Sequence, residues 1–176
     1  MAVFQSIMNL FAAEPAIPAV VVPAPPTTYT IHPLTEKQLS QVLALNLRCF
    51  KDGENYTKNT FSYLFNEPNS LCYRAVTSEG EMAAFLCVLV NESGAGHITT
   101  IGVAPEHRRR GLGRMLLEHL EKMLRQKGIS TVALEVRVSN ISAQALYIEL
   151  GYAIVQRVAH YYTNGEDGFF MVKSIV

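Results

Sequence analysis

The chain has 176 residues, enough for one domain and an extension, and 49% of them are hydrophobic, which is ample for a buried core. Lys plus Arg number 15 and Asp plus Glu number 15, so no general attraction to nucleic acid or to an anionic membrane is expected. Three cysteines, Cys49, Cys72 and Cys87, cannot all pair and fit no zinc spacing; a reducing, cytoplasmic setting and no metal site are expected.

Residues 1–28 carry Pro15, Pro18, Pro23, Pro25 and Pro26 among many alanines. Each proline removes a donor and restricts its predecessor, so this stretch is expected to be a flexible extension. A short helix over residues 3–13 is an alternative, because Phe4, Ile7, Met8 and Phe11 recur at helical spacing. The stretch lacks a basic start and prolines interrupt its apolar runs, so neither a signal peptide nor a membrane span is expected.

The folded domain is expected over residues 29–176, opening with a strand at 29–32. Thr35 and Gln38 form a capping box, Leu34 and Leu39 fit a hydrophobic staple, and Leu39, Val42, Leu43, Leu47 and Phe50 make one apolar helical stripe. Phe61, Leu64 and Phe65 mark a second helix after a short loop. Strands follow over 71–77, 82–91 and 96–103, the first two joined by a turn at 78–81. Cys87 reads as a small buried hydrophobe rather than a nucleophile.

Leu112, Leu116, Leu120, Met123 and Leu124 recur at helical intervals, with Glu118/Lys122 and Glu121/Arg125 as i,i+4 pairs and Gly128 as a stop, so a long helix spans 112–127. An alternating strand at 131–137 and a helix over 141–150 follow. Two strands, 153–162 and 169–175, then flank a turn. Helices interrupting a mixed sheet predict an α/β domain.

Between the strand ending at Val103 and the long helix stand Arg108, Arg109, Arg110, Gly111, Leu112, Gly113 and Arg114. Glycines let the main chain close around an anion, the helix start offers unpaired N–H groups and a positive dipole end, and arginines add charge-assisted hydrogen bonds. A nucleoside triphosphatase loop would need Lys and Ser/Thr after Gly113, and a dinucleotide fingerprint would need glycine at Leu116. The remaining pattern is Arg/Gln-x-x-Gly-x-Gly/Ala, which a solvated basic turn before a surface helix also satisfies. The cluster is short, which suits a compact pyrophosphate better than a long polyanion.

In the strand at 131–137, Val132, Leu134 and Val136 share one face, while Glu135 and Arg137 project from the other. Asn140, Ala143 and Tyr147 lie along one helical stripe, so Asn140 and Tyr147 can touch one ligand. Other readings stay open for these residues: a solvated strand face with a cross-strand ion pair for Glu135 and Arg137, and a core-edge aromatic for Tyr147. Among the histidines, His119 is expected to be exposed on its helix, and His97, His107 and His160 show no metal spacing.

Residues 98–128 resemble the acetyl-coenzyme A binding segment of the GNAT acetyltransferases, with Arg108, Gly111 and Gly113 on the motif positions. Leu134-Glu135-Val136-Arg137-Val138-Ser139-Asn140 followed by Ala145-Leu146-Tyr147 and Leu150-Gly151-Tyr152 resembles the second signature of the ribosomal-protein alanine N-acetyltransferases within that superfamily. The turn from Tyr161 to Gly168 is similar to the family's substrate-gripping hairpin, and Glu54-Asn55-Tyr56 resembles a loop of protein N-terminal acetyltransferases. The resemblance implies a mixed, mostly antiparallel sheet of about seven strands flanked by about four helices.

It also implies roles. Glu135 would be the general base and Tyr147 the acid for the departing thiolate. Main-chain groups at Ile101, Gly102 and Val103 would pair with the pantetheine arm. Arg108 to Arg114, including Arg109, Arg110, Gly111, Leu112 and Gly113, would hold the pyrophosphate, and Asn140 would bind the arm's far side. Glu54, Tyr56, Tyr161 and Tyr162 would shape the peptide entrance, although Tyr161 and Tyr162 also fit ordinary strand packing and Glu54 and Tyr56 an ordinary polar loop. Gly102 stands where the family usually has a larger residue.

An α-amino group with pKa near ~7.7 to 8.0 is roughly a sixth neutral near pH ~7.2, whereas a lysine at ~10.4 is neutral in roughly one molecule of two thousand. One glutamate therefore suffices for a protein N-terminus and is hard pressed for lysine. The expected activity is acetyl transfer from acetyl-CoA to protein or peptide N-termini, ribosomal-protein-like ones included, by a monomer or weak dimer without membrane or nucleic-acid partners. Lysine or small-amine acetylation, and acyl-CoA binding without catalysis, are the alternatives.

Overall fold

A computed structural model describes residues 20–50 and 55–176 of the chain. The strands are β1 (Tyr29–Pro33), β2 (Ser70–Thr77), β3 (Met82–Val90), β4 (Gly96–Val103), β5 (Thr131–Arg137), β6 (Ala153–Val158) and β7 (Gly168–Ser174). The helices are α1 (Leu39–Cys49), α2 (Lys58–Asn66), α3 (Leu112–Gln126) and α4 (Ile141–Glu149). Element types and order follow the sequence reading; the helix considered for residues 3–13 lies outside the described residues.

The strands form one sheet in the order β1-β2-β3-β4-β5-β7-β6. Every neighbouring pair is antiparallel except β4 and β5. Alternation along the strands divides the core in two. Leu86, Val88, Ile98, Leu134 and Val136 pack under α3 and α4 with Leu116, Leu120, Leu124 and Tyr147. On the opposite face Phe85 and Cys87 pack under α1 and α2 with Val42, Leu45, Phe61 and Leu64. Helix α3 buries its whole Leu112, Leu116, Leu120, Leu124 stripe, and Cys87 is fully buried.

Several local details differ from expectation. The Thr35 N–H donates to Gln38 Oε1 at 3.2 Å, completing the box, but the turn it opens is 3-10 over Glu36–Gln38 and α1 begins at Leu39. Helix α1 buries Val42, Leu45 and Asn46 and leaves Leu47 62% exposed. Two apolar lines of 3–4 spacing coexist on this helix, and packing on β3 and α2 chooses between them. Strand β6 stops at Val158, because a turn held by Tyr162 N–H to Glu166 O at 3.0 Å and Gly165 N–H to Tyr162 O at 2.8 Å takes Tyr161 and Tyr162 out of the ladder. Glu121 has its Arg125 partner at 3.6 Å but is buried, with Lys173 Nζ at 2.6 Å. His119 is half-buried, its ring 4.6 Å from that of Tyr73.

Gly102 shows how tightly the α1 side is packed. A Cβ there would stand 2.6 Å from Phe85 Cε1, 2.8 Å from Phe85 Cζ and 3.1 Å from Cys49 Sγ. Phe85 cannot retreat easily, since Phe50 and Phe61 meet its ring edge-on. Gly102→Ala should therefore lower stability by about 1–3 kcal/mol, the usual cost of overpacking. A urea midpoint that falls at unchanged m checks this; an unchanged midpoint would show that the ring can move aside.

Candidate active site

Strands β4 and β5 pair at only two positions, Gly96 with Val132 and His97 with Ala133. Beyond that they part. The divergence coincides with a bulge: Cys87 faces Thr100 and Val88 faces Ile98, so Thr99 has no residue opposite it. An unpaired residue bends its strand and increases twist. The Tyr56 hydroxyl donates to the Thr99 carbonyl at 2.7 Å, and Thr99 Oγ1 donates to the Cys87 carbonyl at 3.2 Å, so the bulge is held by side chains. Ile101, Gly102 and Val103 lie past the parting and pair with β3 on one side only among the described residues.

Glu135 stands two residues beyond the last rung, on the face opposite Leu134 and Val136. Its Oε2 is 2.7 Å from Nε2 of His97. This contact raises the His97 pKa above its ordinary 6.5, while partial burial pulls it down more weakly. In the sequence His97 shows no metal spacing and has no other expected role; its parity on the strand carries no signal either, because Ile101 and Val103 share it and only the bulge changes the face.

Tyr147 comes from the α3/α4 side and is buried, which pushes its hydroxyl up to about 12. Glu135 and Tyr147 thus start from opposite faces of β5, on the stretch of the strand beyond its last rung with β4 and on the helix packed beneath it. The Tyr162 hydroxyl, raised first by burial, also feels the charges of Arg137, Glu135 and Tyr147. The turn carrying it is tied down: Arg137 lies 4.0 Å over the Tyr162 ring and reaches Glu166 at 2.7 Å and Asn164 at 3.1 Å. Tyr161 packs edge-on against Tyr162 and is exposed.

The arginine loop divides its residues. Arg108 and Arg109 are exposed, and Arg108 Nε donates to the Val103 carbonyl at 3.3 Å. Gly111 caps α3 with φ 78°, and Leu112, Gly113 and Arg114 follow in the first turn. Gly113 lets α3 approach α4, since a Cβ would stand 2.9 Å from Leu146 Cδ2. Arg114 pairs with Glu149. Arg110 is turned away, its guanidinium bonded to the carbonyls of Ala24 and Pro25 and to the Tyr29 hydroxyl.

Asn140 caps α4, its Oδ1 accepting from Ala143 N–H at 3.1 Å. Glu54 lies outside the described residues. Among the described residues Glu81, Glu106 and His107 place possible metal-ligand atoms within 4.8 Å of one another, a juxtaposition their spacing did not suggest, but Glu106 is already paired with Arg48. No helix of the described residues is long and apolar enough to cross a membrane.

The parting of β4 and β5 and the glycine cap of α3 are set on a seven-stranded, mostly antiparallel sheet. The chain belongs to the acetyltransferase (GNAT) family, whose model matches residues 39–152; enzymes of this family draw on acetyl-CoA. It is 43% identical over 105 residues to the [ribosomal protein bS18]-alanine N-acetyltransferase of Escherichia coli K12, covering 57% of this chain and 69% of that one. It is 42% identical over 81 residues to an N-alpha-acetyltransferase of Sulfurisphaera tokodaii, covering 46% and 48%. The crystal structure of the ribosomal-protein-S18-alanine N-acetyltransferase from Escherichia coli superposes with TM-score 0.76 at 33% identity, over 84% of this chain and 94% of that one. Ard1 from Thermoplasma volcanium shares the fold at TM-score 0.77 and 21% identity, over 84% and 98%.

The cap that Asn140 forms on α4 can be tested on its own. Asn140→Ala should cost about 0.5–2 kcal/mol through the lost cap, while Asn140→Asp, another good cap, should hold most of it. Urea unfolding of both variants checks this; equal losses would show that capping is not what Asn140 contributes.

Proposed function

We propose that the chain transfers the acetyl group of acetyl-CoA to the α-amino group of protein or peptide N-termini by direct attack, without an acyl-enzyme. The observation that carries this reading is the parting of β4 and β5, with Glu135 just inside it and Tyr147 rising from the other face. The 43% identity with a ribosomal-protein alanine N-acetyltransferase supports the acceptor class.

The residues fit acetyl-CoA. One edge of β4 at Ile101, Gly102 and Val103 offers main-chain groups for an extended pantetheine arm. Gly111, Leu112, Gly113 and Arg114 open α3 with N–H groups for a diphosphate, with Arg108 and Arg109 exposed beside them. Bound there, acetyl-CoA supplies an activated thioester carbonyl.

Glu135 takes the proton that the attacking amine must lose. His97 donates Nε2–H to Oε2, which orients the carboxylate and leaves Oε1 for the amine. Tyr147, held protonated by burial, donates its proton toward the departing sulfur. Tyr56, Tyr161 and Tyr162 line the acceptor's approach. The three free cysteines accord with a reducing cytoplasm.

Glu135→Gln should lower kcat by about 10²–10⁴-fold, the usual scale for a positioned acid or base, and most strongly at low pH, where more of the amine is protonated. A pH–rate profile of unchanged shape and height would remove Glu135 from the role.

The pair also makes a prediction for His97 itself. Its raised pKa means that the imidazolium–carboxylate contact adds stability that is complete below pH 6.5 and is lost as pH rises through the folded value. NMR titration of the imidazole should place His97 above 6.5 in the unaltered chain. In Glu135→Gln the remaining burial should bring it to 6.5 or below, and an unmoved titration would show that the contact is not made in solution.

The acceptor is tested by mass spectrometry of peptides differing in their first residues, beside an N-blocked peptide containing lysine. Acetylation of free N-termini alone is the expected result. Modification of the blocked peptide, or coenzyme binding with no turnover on any peptide, overturns the proposal.

A further inference from the structure

The loop that enters α3 holds a backbone conformation that ordinary residues avoid. Arg109 has φ 62° and Gly111 φ 78°. Gly111 tolerates this without a Cβ; Arg109 does not, and a non-glycine residue stays in the left-handed region only where its surroundings enforce it. Arg48 pairs with Glu106 and Arg108 holds the Val103 carbonyl, and one further segment of chain grips the loop on both sides of Arg109. Before Arg109, the Ala24 N–H donates to the Glu106 carbonyl at 3.0 Å, and the Tyr29 hydroxyl meets Nδ1 of the buried His107 at 2.9 Å. After it, the Arg110 guanidinium donates to Pro25 O at 2.8 Å, to Tyr29 Oη at 3.1 Å and to Ala24 O.

The segment has its own anchor. Thr27 Oγ1 meets Ser78 Oγ at 2.9 Å and donates to Glu79 Oε2 at 3.0 Å, and Ser78 N–H donates to Thr28 O at 3.1 Å. From there the chain enters β1, which pairs along its length with β2. Pro23, Pro25 and Pro26 stiffen the segment, so little freedom is lost by holding it in place. Residues 24–29 therefore run from the β2–β3 turn to both sides of the arginine loop, and they lie outside residues 39–152 matched by the family model.

We propose that residues 24–29 are a brace that sets the arginine loop in its coenzyme-receiving shape, with Tyr29 and Arg110 as positioning residues and Arg110 not a phosphate ligand. This rests on the reading that the loop receives the diphosphate of acetyl-CoA. Its guanidinium is occupied by main-chain carbonyls and a phenol, so the charge offered to phosphate is that of Arg108 and Arg109.

Ala24→Pro is the sharpest probe, because it deletes one N–H from an already proline-rich stretch and touches no phosphate group. Coenzyme A binding by titration calorimetry, and KM and kcat for acetyl-CoA, are measured for the full chain, Ala24→Pro, Tyr29→Phe, Arg110→Met and the Ala24→Pro/Arg110→Met double variant. Ala24→Pro and Tyr29→Phe should each weaken coenzyme A by about three- to tenfold, the worth of one net hydrogen bond, through KM rather than kcat. The double variant should bind much as Arg110→Met alone does, since both changes release the same strap.

Unaltered affinity in Ala24→Pro, or a double variant whose loss is the product of the two single losses, overturns the brace and returns Arg110 to the phosphate site. Failure of the unaltered chain to bind coenzyme A overturns the coenzyme reading itself, and the brace falls with it.

Discussion

Two rungs of parallel ladder, and then none, are the constraint on which the rest of this molecule depends. Parallel strands in a sheet normally pair along their length, because each unpaired N–H and C=O left from water is costly. Here β4 and β5 separate after His97 and Ala133. The bulge at Thr99 follows directly on the last rung, and Tyr56, reaching from the loop before α2, takes the Thr99 carbonyl. Main-chain groups of β4 past His97 are thereby left without a β5 partner in the ladder among the described residues.

Residues of very different surroundings stand on the two faces of β5 near that parting. Glu135 and His97 share a half-buried polar face, whereas Tyr147 stands among leucines under α3 and α4. The contrast separates their acid–base behaviour: the imidazole is stabilised in its charged form by a carboxylate, and the phenol is kept neutral by the absence of water.

The arginine loop makes a second point about cost. Its chain turns sharply enough to present the first turn of α3, and Arg109 adopts a strained conformation to do so. Strain of this kind is sustained by contacts elsewhere. In this chain part of that support comes from Tyr29 and from residues 24 and 25 before β1, a stretch whose composition suggested only an extension. Residues 24 and 25 contribute main-chain groups, which composition cannot reveal.

Element types, their order and the α3 stripe were legible because hydrophobic period and turn chemistry are local properties, and each long element repeats its signal. Which line of α1 faces inward was not, because Leu47 and Leu45 obey the same spacing and only the neighbouring sheet distinguishes them. Glu135 and Tyr147 stand out in the sequence through the family resemblance; His97 does not, since it becomes the partner of Glu135 only through the β4–β5 register, across 38 positions of sequence. The arginine cluster was visible as charge, yet Arg110 and its neighbours differ in what they touch. Sequence by itself determined the layered α/β plan and the chemistry available to the site. The parting of the strands, the pairing of His97 with Glu135 and the turning of Arg110 toward Ala24 and Pro25 were decided only in the tertiary structure, because each depends on main-chain groups brought together from distant segments.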